Sequence, residues 1–424
     1  MENSFDFIPE GVTDVHSDEY AAKEKIIDKI KKTFKSFGYH QVSTPAFEYY
    51  DTFTALGGLS RDEMFKLIDQ KGRILVLRPD MTIPIARMAA GKSGYQKYSY
   101  ISNIFRMNDK QNGMKREFIQ AGVEFLGNER EEADGETIAL AIEILLKNEI
   151  DGFQIDLGHV GFCRALLREC EIHKNQQSQL QYLIEQKNLA ELENLLNAYK
   201  IKDSIANAIL EIPSLYGSAE KVIKRAKYLI QNNEMENAIQ NLEKVYNILK
   251  DYAYDKYITL DLGRINPMHY YTGIIFKGYI LDYGKTILSG GRYDQLIKTD
   301  GRGTPAVGFG LNVDKLMEVL EMYNLNSKPC YTDFLVLYKA ENRKSAFRMA
   351  SDLREKGFIV ETDACRENLK EQICHAAARN IKEIIEVKGT MIKVISLKNN
   401  LIYGGAIDEF MKRIDMGQLY GSIH

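Results

Sequence analysis

The chain has 424 residues, 45% of them hydrophobic, which is enough for two or three packed domains and more than a single core usually serves. With 56 basic against 59 acidic residues the net charge is -3, so no overall positive field is available to hold a polyanion, and composition argues against a nucleic-acid binder. Cys163, Cys170, Cys330, Cys365 and Cys374 form no close pairs and fit neither a disulfide framework nor a zinc site.

The opening MENSFDFIPEGVTDV has no basic and apolar leader pattern, and no stretch reaches bilayer length, so a cytoplasmic protein is expected. From Asp18 to Phe37 apolar residues recur at helical spacing among lysines, which predicts an amphipathic helix. After Gly38 short apolar runs broken by turn residues (YHQVSTPAFEYY, MFKLID, RILVLRP, KYSYISNIFRM) predict strands of an antiparallel sheet. A helix over Ala133 to Asn148 and a strand over Gln154 to Leu157 follow. Between residues 161 and 252 the composition shifts to Leu, Glu, Lys, Gln and Asn, which reads as a helical insertion. Strand signals resume at YITLDLG, YYTGIIFKGYI and KTILSGGRY, so the sheet begun before the insertion is completed after it. A helix from Val313 to Tyr323 closes a first domain spanning 1–325, and NLNSKPCYT reads as a linker. Residues 331–424 then alternate strand and helix, which predicts an α/β domain with a mostly parallel sheet.

Five clusters carry chemistry. In LRPDMTIPIAR, Asp80 and Thr82 would share a face if the backbone were extended and could grip an ammonium group; an Asp after Pro also serves as a turn or helix cap. In IFRMNDKQNGMKREFIQAGVEFLG, strand alternation aligns Gln120, Gly122 and Glu124, and a buried carboxylate there needs a partner such as a ligand donor. In INPMHYYTG, Tyr270 and Tyr271 stand at a strand start, where neighbours face opposite ways, so only one would line a pocket. LSGGRYDQL sets Arg292 beside two glycines that let a ligand approach the backbone. TPAVGFGLNVDKL places Lys315 near a helix start, where it could reach an anion. No phosphate loop, dinucleotide fingerprint, catalytic triad order or metal-ligand spacing is present, and no cofactor or metal is expected.

In their order, these clusters resemble the class II aminoacyl-tRNA synthetase core, and histidyl-tRNA synthetase in particular. STPAFEYYDTF resembles motif 1 with Pro45, FRMNDKQNGMKREFIQAGVE motif 2 and AVGFGLNVDKL motif 3, while LRPDMT and INPMHYYTG resemble the two histidine-specific elements. The resemblance implies an α+β fold: an antiparallel sheet flanked by helices, the helical insertion, and a C-terminal domain like an anticodon-binding domain. It also implies that Asp80 and Thr82 hold the α-amino group of histidine, Gln120 its carboxylate, and Glu124 and Tyr271 its imidazole, with Tyr270 beside them in the histidine-binding set.

Three positions depart from the synthetase pattern. Asn108 stands where a glutamate would hold adenine, Asn266 where an arginine is expected, and Lys315 where an arginine would lie on the ATP phosphates. Lysine's point charge does not replace arginine's planar fork. Arg106, Arg292 and Lys315 remain as anion-binding candidates. Amino-acid contacts kept beside weakened nucleotide contacts are similar to the family of ATP phosphoribosyltransferase regulatory subunits. That family implies a non-catalytic chain, a short-form catalytic subunit as partner, histidine as effector, a homodimer within a hetero-oligomer, and no tRNA. A working histidyl-tRNA synthetase and an amino-acid or tRNA sensing module are the alternative readings.

Overall fold

The structure, a computed structural model, describes residues 8–416 apart from 57–60, 93, 108–114, 265–269, 300–301, 324, 326–331, 365–368, 398 and 400. Asn108, Asn266, Cys330, Cys365 and most of the expected linker lie outside the described residues. The chain divides into two compact units, Met1–Asn326 and Ser327–His424.

The first unit opens with α1 (Ser17–Ser36), whose stripe of Ile26, Ile30 and Phe34 is buried. Next come β1 (His40–Gln41), β2 (Phe47–Tyr49), α2 (Tyr50–Leu56), β3 (Lys66–Ile68), β4 (Ile74–Leu77) and α3 (Thr82–Ala89). The long strands β5 (Gln96–Phe105) and β6 (Glu117–Leu126) pair antiparallel and lead into α4 (Glu131–Lys147) and β7 (Phe153–His159). A helical stretch follows: α5 (Val160–Arg168), α6 (Lys174–Glu185), α7 (Leu189–Ala198), α8 (Asp203–Glu211), the two-residue β8 (Tyr216–Gly217), α9 (Ala219–Lys227) and α10 (Asn233–Asp251). The unit ends with β9 (Ile258–Asp261), β10 (Ile274–Ile280), β11 (Thr286–Arg292), β12 (Lys298–Thr299), β13 (Arg302–Gly303), β14 (Ala306–Asn312) and α11 (Val313–Met322).

Nine of these strands form one sheet in the order β1-β5-β6-β14-β11-β10-β7-β9-β8, antiparallel except for β1 with β5 and β7 with β9. Strands from both sides of the helical stretch therefore interleave. That stretch is not a free-standing insertion: Leu180, Ile184, Leu196, Ile209, Met235 and Leu242 share one buried cluster with Val123, Phe309 and Leu311 of the sheet. Composition reveals amphipathic helices, yet whether their apolar faces close on one another or on a distant sheet is a tertiary matter. A smaller sheet, β2-β4-β3, turns Phe47, Tyr49 and Leu67 outward.

The second unit comprises β15 (Thr332–Tyr338), α12 (Arg343–Glu355), β16 (Val360–Ala364), α13 (Leu369–Ala378), β17 (Ile381–Lys388), β18 (Met391–Ser396), β19 (Ile402–Ala406) and α14 (Ile407–Asp415). Its sheet runs β16-β15-β17-β18-β19. The expectation of a mostly parallel sheet is corrected here. β15 is parallel to β16 and β17, but β17, β18 and β19 pair antiparallel. Only Gly389 and Thr390 separate β17 from β18, and Gly389 has φ +66°, so the chain turns a hairpin where a helical crossover has no room. Among the described residues no helix is long and apolar enough to cross a membrane.

Candidate functional site

On β6, Ala121, Val123 and Phe125 pack into the helical layer, so alternation turns Gln120, Gly122 and Glu124 to the other face of the sheet. There β5 lies alongside, with Tyr98 opposite Glu124, Tyr100 opposite Gly122 and Ser102 opposite Gln120. Glu124 is 1% exposed. Its Oε1 accepts from Thr82 Oγ1 at 2.8 Å and its Oε2 from the Tyr293 hydroxyl. The partner that this buried carboxylate requires is thus already supplied twice by the protein. Burial pushes the Glu124 pKa up to about 8, against the two hydroxyl bonds that pull it down and with a further push from the nearby Asp80 charge. Gln120 accepts from Tyr100 through Oε1 at 3.1 Å.

Asp80 and Thr82 reach this place differently from the extended arrangement expected of them. Thr82 is the first residue of α3, and the Asp80 Oδ1 accepts from Ile83 N at 3.2 Å, capping that helix. A short carboxylate just ahead of a helix meets free N–H groups there, and that local interaction overrides the extended form. The other carboxylate oxygen, Oδ2, is buried without a hydrogen-bond partner among the described residues. Burial raises the Asp80 pKa, and the Arg106 charge opposes the rise.

The tyrosine pair is likewise corrected. Tyr270 and Tyr271 precede β10 rather than lying in it, and both rings are buried in the same cluster, with centroids 4.8 Å apart. Tyr270 also meets the Tyr293 ring edge-on at 5.9 Å. Burial raises the hydroxyl pKa of Tyr100, Tyr270, Tyr271 and Tyr293 alike, so the lining carries neutral hydroxyls. Two glycines accommodate these side chains. A Cβ on Gly291 would come within 2.8 Å of the Tyr271 ring, and one on Gly308 would run into the Glu124 carboxylate. The room around them is taken by the protein's own side chains rather than left for a ligand. Tyr100 and Tyr293 were not singled out from the sequence. The register of the β5–β6 hairpin would have exposed Tyr100; Tyr293 stands beside Arg292 and had no signal of its own.

The three anion-binding candidates separate. Arg292 is 6% exposed and aims its Nε at both carboxylate oxygens of Asp134, at 2.9 and 3.1 Å, while its other nitrogens reach the Asn128 carbonyl and Asp294. It is a structural link between β11 and α4, and its donors are consumed there. Arg106 and Lys315, by contrast, line a cavity of about 180 Å³ next to the tyrosine cluster, together with Lys115, Gln120, Lys285 and Ser289. Lys315 Nζ donates to the Thr286 carbonyl at 2.9 Å, and Arg106 Nε to the Pro79 carbonyl at 2.8 Å. Burial lowers the Lys315 pKa, and the charge of Lys285 adds to that. Asp80, Thr82, Gln120, Glu124, Tyr270 and Tyr271 are therefore brought together, Arg106 and Lys315 stand beside them, and Arg292 does not face the site.

A buried polar and aromatic cluster on one face of an antiparallel sheet, bordered by a cationic cleft, goes with a class that the sequence itself identifies: residues 11–316 match the histidyl-tRNA synthetase family. A histidyl-tRNA synthetase from Nostoc sp. has the same fold, with TM-score 0.80 at 20% identity, over 96% of this chain and 99% of that one. The chain is 37% identical to an ATP phosphoribosyltransferase regulatory subunit of Acetivibrio thermocellus over 96% of this chain and 98% of the relative. It is 40% identical to the subunit of that name from Oceanobacillus iheyensis, over 83% and 88% of the two chains. A solved structure from Bacillus halodurans, described as an ATP phosphoribosyltransferase regulatory subunit/histidyl-tRNA synthetase, superposes with TM-score 0.80 at 30% identity, over 91% of this chain and 98% of that one. The chain belongs to the family of ATP phosphoribosyltransferase regulatory subunits.

Proposed function

We propose that this chain is a non-catalytic cytoplasmic subunit that activates a short-form ATP phosphoribosyltransferase catalytic subunit and transmits feedback by histidine. The observation that carries the reading is the relationship to proteins of that name along almost the whole of both chains. The site supports it. Asp80, Thr82, Gln120, Glu124, Tyr270 and Tyr271 form one pocket for histidine, with Asp80 facing the ammonium group and Glu124 and the tyrosines the imidazole. The cleft beside it has Lys315 in place of an arginine, and that lysine is engaged by a backbone carbonyl. The chain works as a homodimer within the hetero-oligomer, through the outward apolar face of β2, β3 and β4, and takes no tRNA.

The catalytic partner converts ATP and phosphoribosyl pyrophosphate to phosphoribosyl-ATP and pyrophosphate. This chain acts on it by favouring one conformation, and histidine shifts that balance to the extent that it binds the two states unequally. The coupling is reciprocal: the catalytic subunit must change histidine affinity by the same factor as histidine changes its binding. Mixing the purified chain with a short-form catalytic subunit should restore transferase activity, and histidine should inhibit the mixture. Histidine-dependent ATP–pyrophosphate exchange by the chain alone, or no activation of the partner, would sink the proposal.

A further inference from the structure

β14 ends at Asn312, paired with Gln120 of β6. One residue further along β6, the Ile119 N–H has no strand beside it on that side. Asp314 completes the rung: its Oδ2 accepts from Ile119 N at 2.7 Å, and its Oδ1 accepts from Lys23 Nζ of α1 at 2.7 Å. The two side chains are 8% and 6% exposed. Each end of this link borders the cavity. Gln120 follows Ile119, Lys315 follows Asp314, and Asn312 caps α11 by accepting from Lys315 N at 3.0 Å.

Stability alone does not account for such a pair. Burying two charges costs desolvation that their attraction only roughly repays, and a well-packed apolar pair of the same volume is often as stable or more so. The distinctive feature is geometric: the second carboxylate oxygen holds the backbone immediately before Gln120. We infer that Asp314, held in place by Lys23, is a positioning residue for the amino-acid pocket, fixing the end of β6 and so the Gln120–Tyr100 pair against α11. This inference rests on the reading of that pocket as a histidine site. Recognition groups must be held to within about 0.5 Å to keep their effect, and a strand end with an unsatisfied N–H is free to shift by that much.

The test uses the full-length protein, calorimetric titration with L-histidine, and thermal melts in parallel. Lys23→Met with Asp314→Leu gives an apolar pair with no acceptor for Ile119 N. Lys23→Gln with Asp314→Asn gives a neutral pair whose amide oxygen still accepts from it. The first double variant should lose histidine affinity by about tenfold, or about 1.4 kcal/mol, at a melting temperature close to wild type, and the second should recover most of that loss. Equal, wild-type-like affinity in both variants overturns the positioning role alone. A wild-type chain that takes up no histidine overturns the pocket reading and the inference with it. Should the apolar variant fail to fold, hydrogen exchange on the wild type decides: added histidine should slow exchange of the Ile119 amide, and unchanged exchange at saturation overturns the inference.

Discussion

Replacing Glu124 by glutamine isolates the cost of the buried carboxyl. Its pKa of about 8 in the folded chain compares with 4.5 for an ordinary glutamate. Between those values the folded chain keeps a proton that the unfolded chain releases, so stability is fully present below about pH 4.5 and is lost as pH rises toward 8. The limiting slope is about 1.4 kcal/mol per pH unit, or roughly 2.7 kcal/mol over two units. Glutamine has no proton to lose, and its oxygen can accept from Thr82 or Tyr293 while its amide donates to the other hydroxyl. Urea unfolding of both proteins at pH 5.5, 6.5 and 7.5 should show the variant gaining on wild type by about that 2.7 kcal/mol. Other groups that titrate across the range, such as Asp134 with its pKa raised by burial to about 6, are common to both proteins and cancel in the difference. A difference constant to within about 0.5 kcal/mol would refute the reasoning, because it would mean that Glu124 does not carry its proton through this window.

Two further predictions concern assembly and the arginine that turned out to be structural. On the β2-β4-β3 sheet, Tyr49, Leu75 and Leu67 lie in one cross-strand row beside the exposed Phe47, and Leu67→Asp should convert a dimer to a monomer by light scattering; an unchanged dimer mass would place the contact elsewhere. Arg292→Leu leaves Asp134 buried without its ion-pair partner and should cost about 3–5 kcal/mol in denaturant unfolding, and a loss below about 1 kcal/mol would show that the pair is not the anchor described.

The sequence makes some of this site legible because strand alternation is rigid. Once the segment after the motif 2 loop is read as a strand, Gln120 and Glu124 must share a face whatever the rest of the chain does. Asp80 and Thr82 resist the same logic because the chain has left β4 at Leu77 and enters α3 at Thr82, and a capping interaction only a few residues long decides where the helix begins. The tyrosine pair fails for a related reason, since alternation holds only inside a strand and both residues precede β10. Arg292 is misleading in another way. Its partner Asp134 is 158 residues away, and nothing local distinguishes an arginine that waits for an anion from one that already has a carboxylate. Motif order supplied what periodicity could not: five elements in sequence define the fold and family, while the contacts of each member depend on packing from remote strands.

The two halves of the cleft make different physical demands. In the half proposed for histidine the polar groups mostly satisfy one another, through Thr82 and Tyr293 on Glu124 and Tyr100 on Gln120, and burial keeps the tyrosine hydroxyls neutral. A site preorganised in this way would select its proposed ligand by shape and hydrogen bonding and would need no reaction to do so. In the other half, Lys315 gives one N–H to the Thr286 carbonyl and is pushed toward its neutral form by burial and by Lys285. An arginine there could hold that carbonyl and still present a fork to a phosphate, with a charge that burial does not remove. Adenylate chemistry depends on fixed charge aimed at the leaving group, whereas ligand sensing does not. Under the proposed function, binding energy gained in the first half and not spent on chemistry in the second is free to bias the conformation of a partner, which is the physical content of the regulatory role.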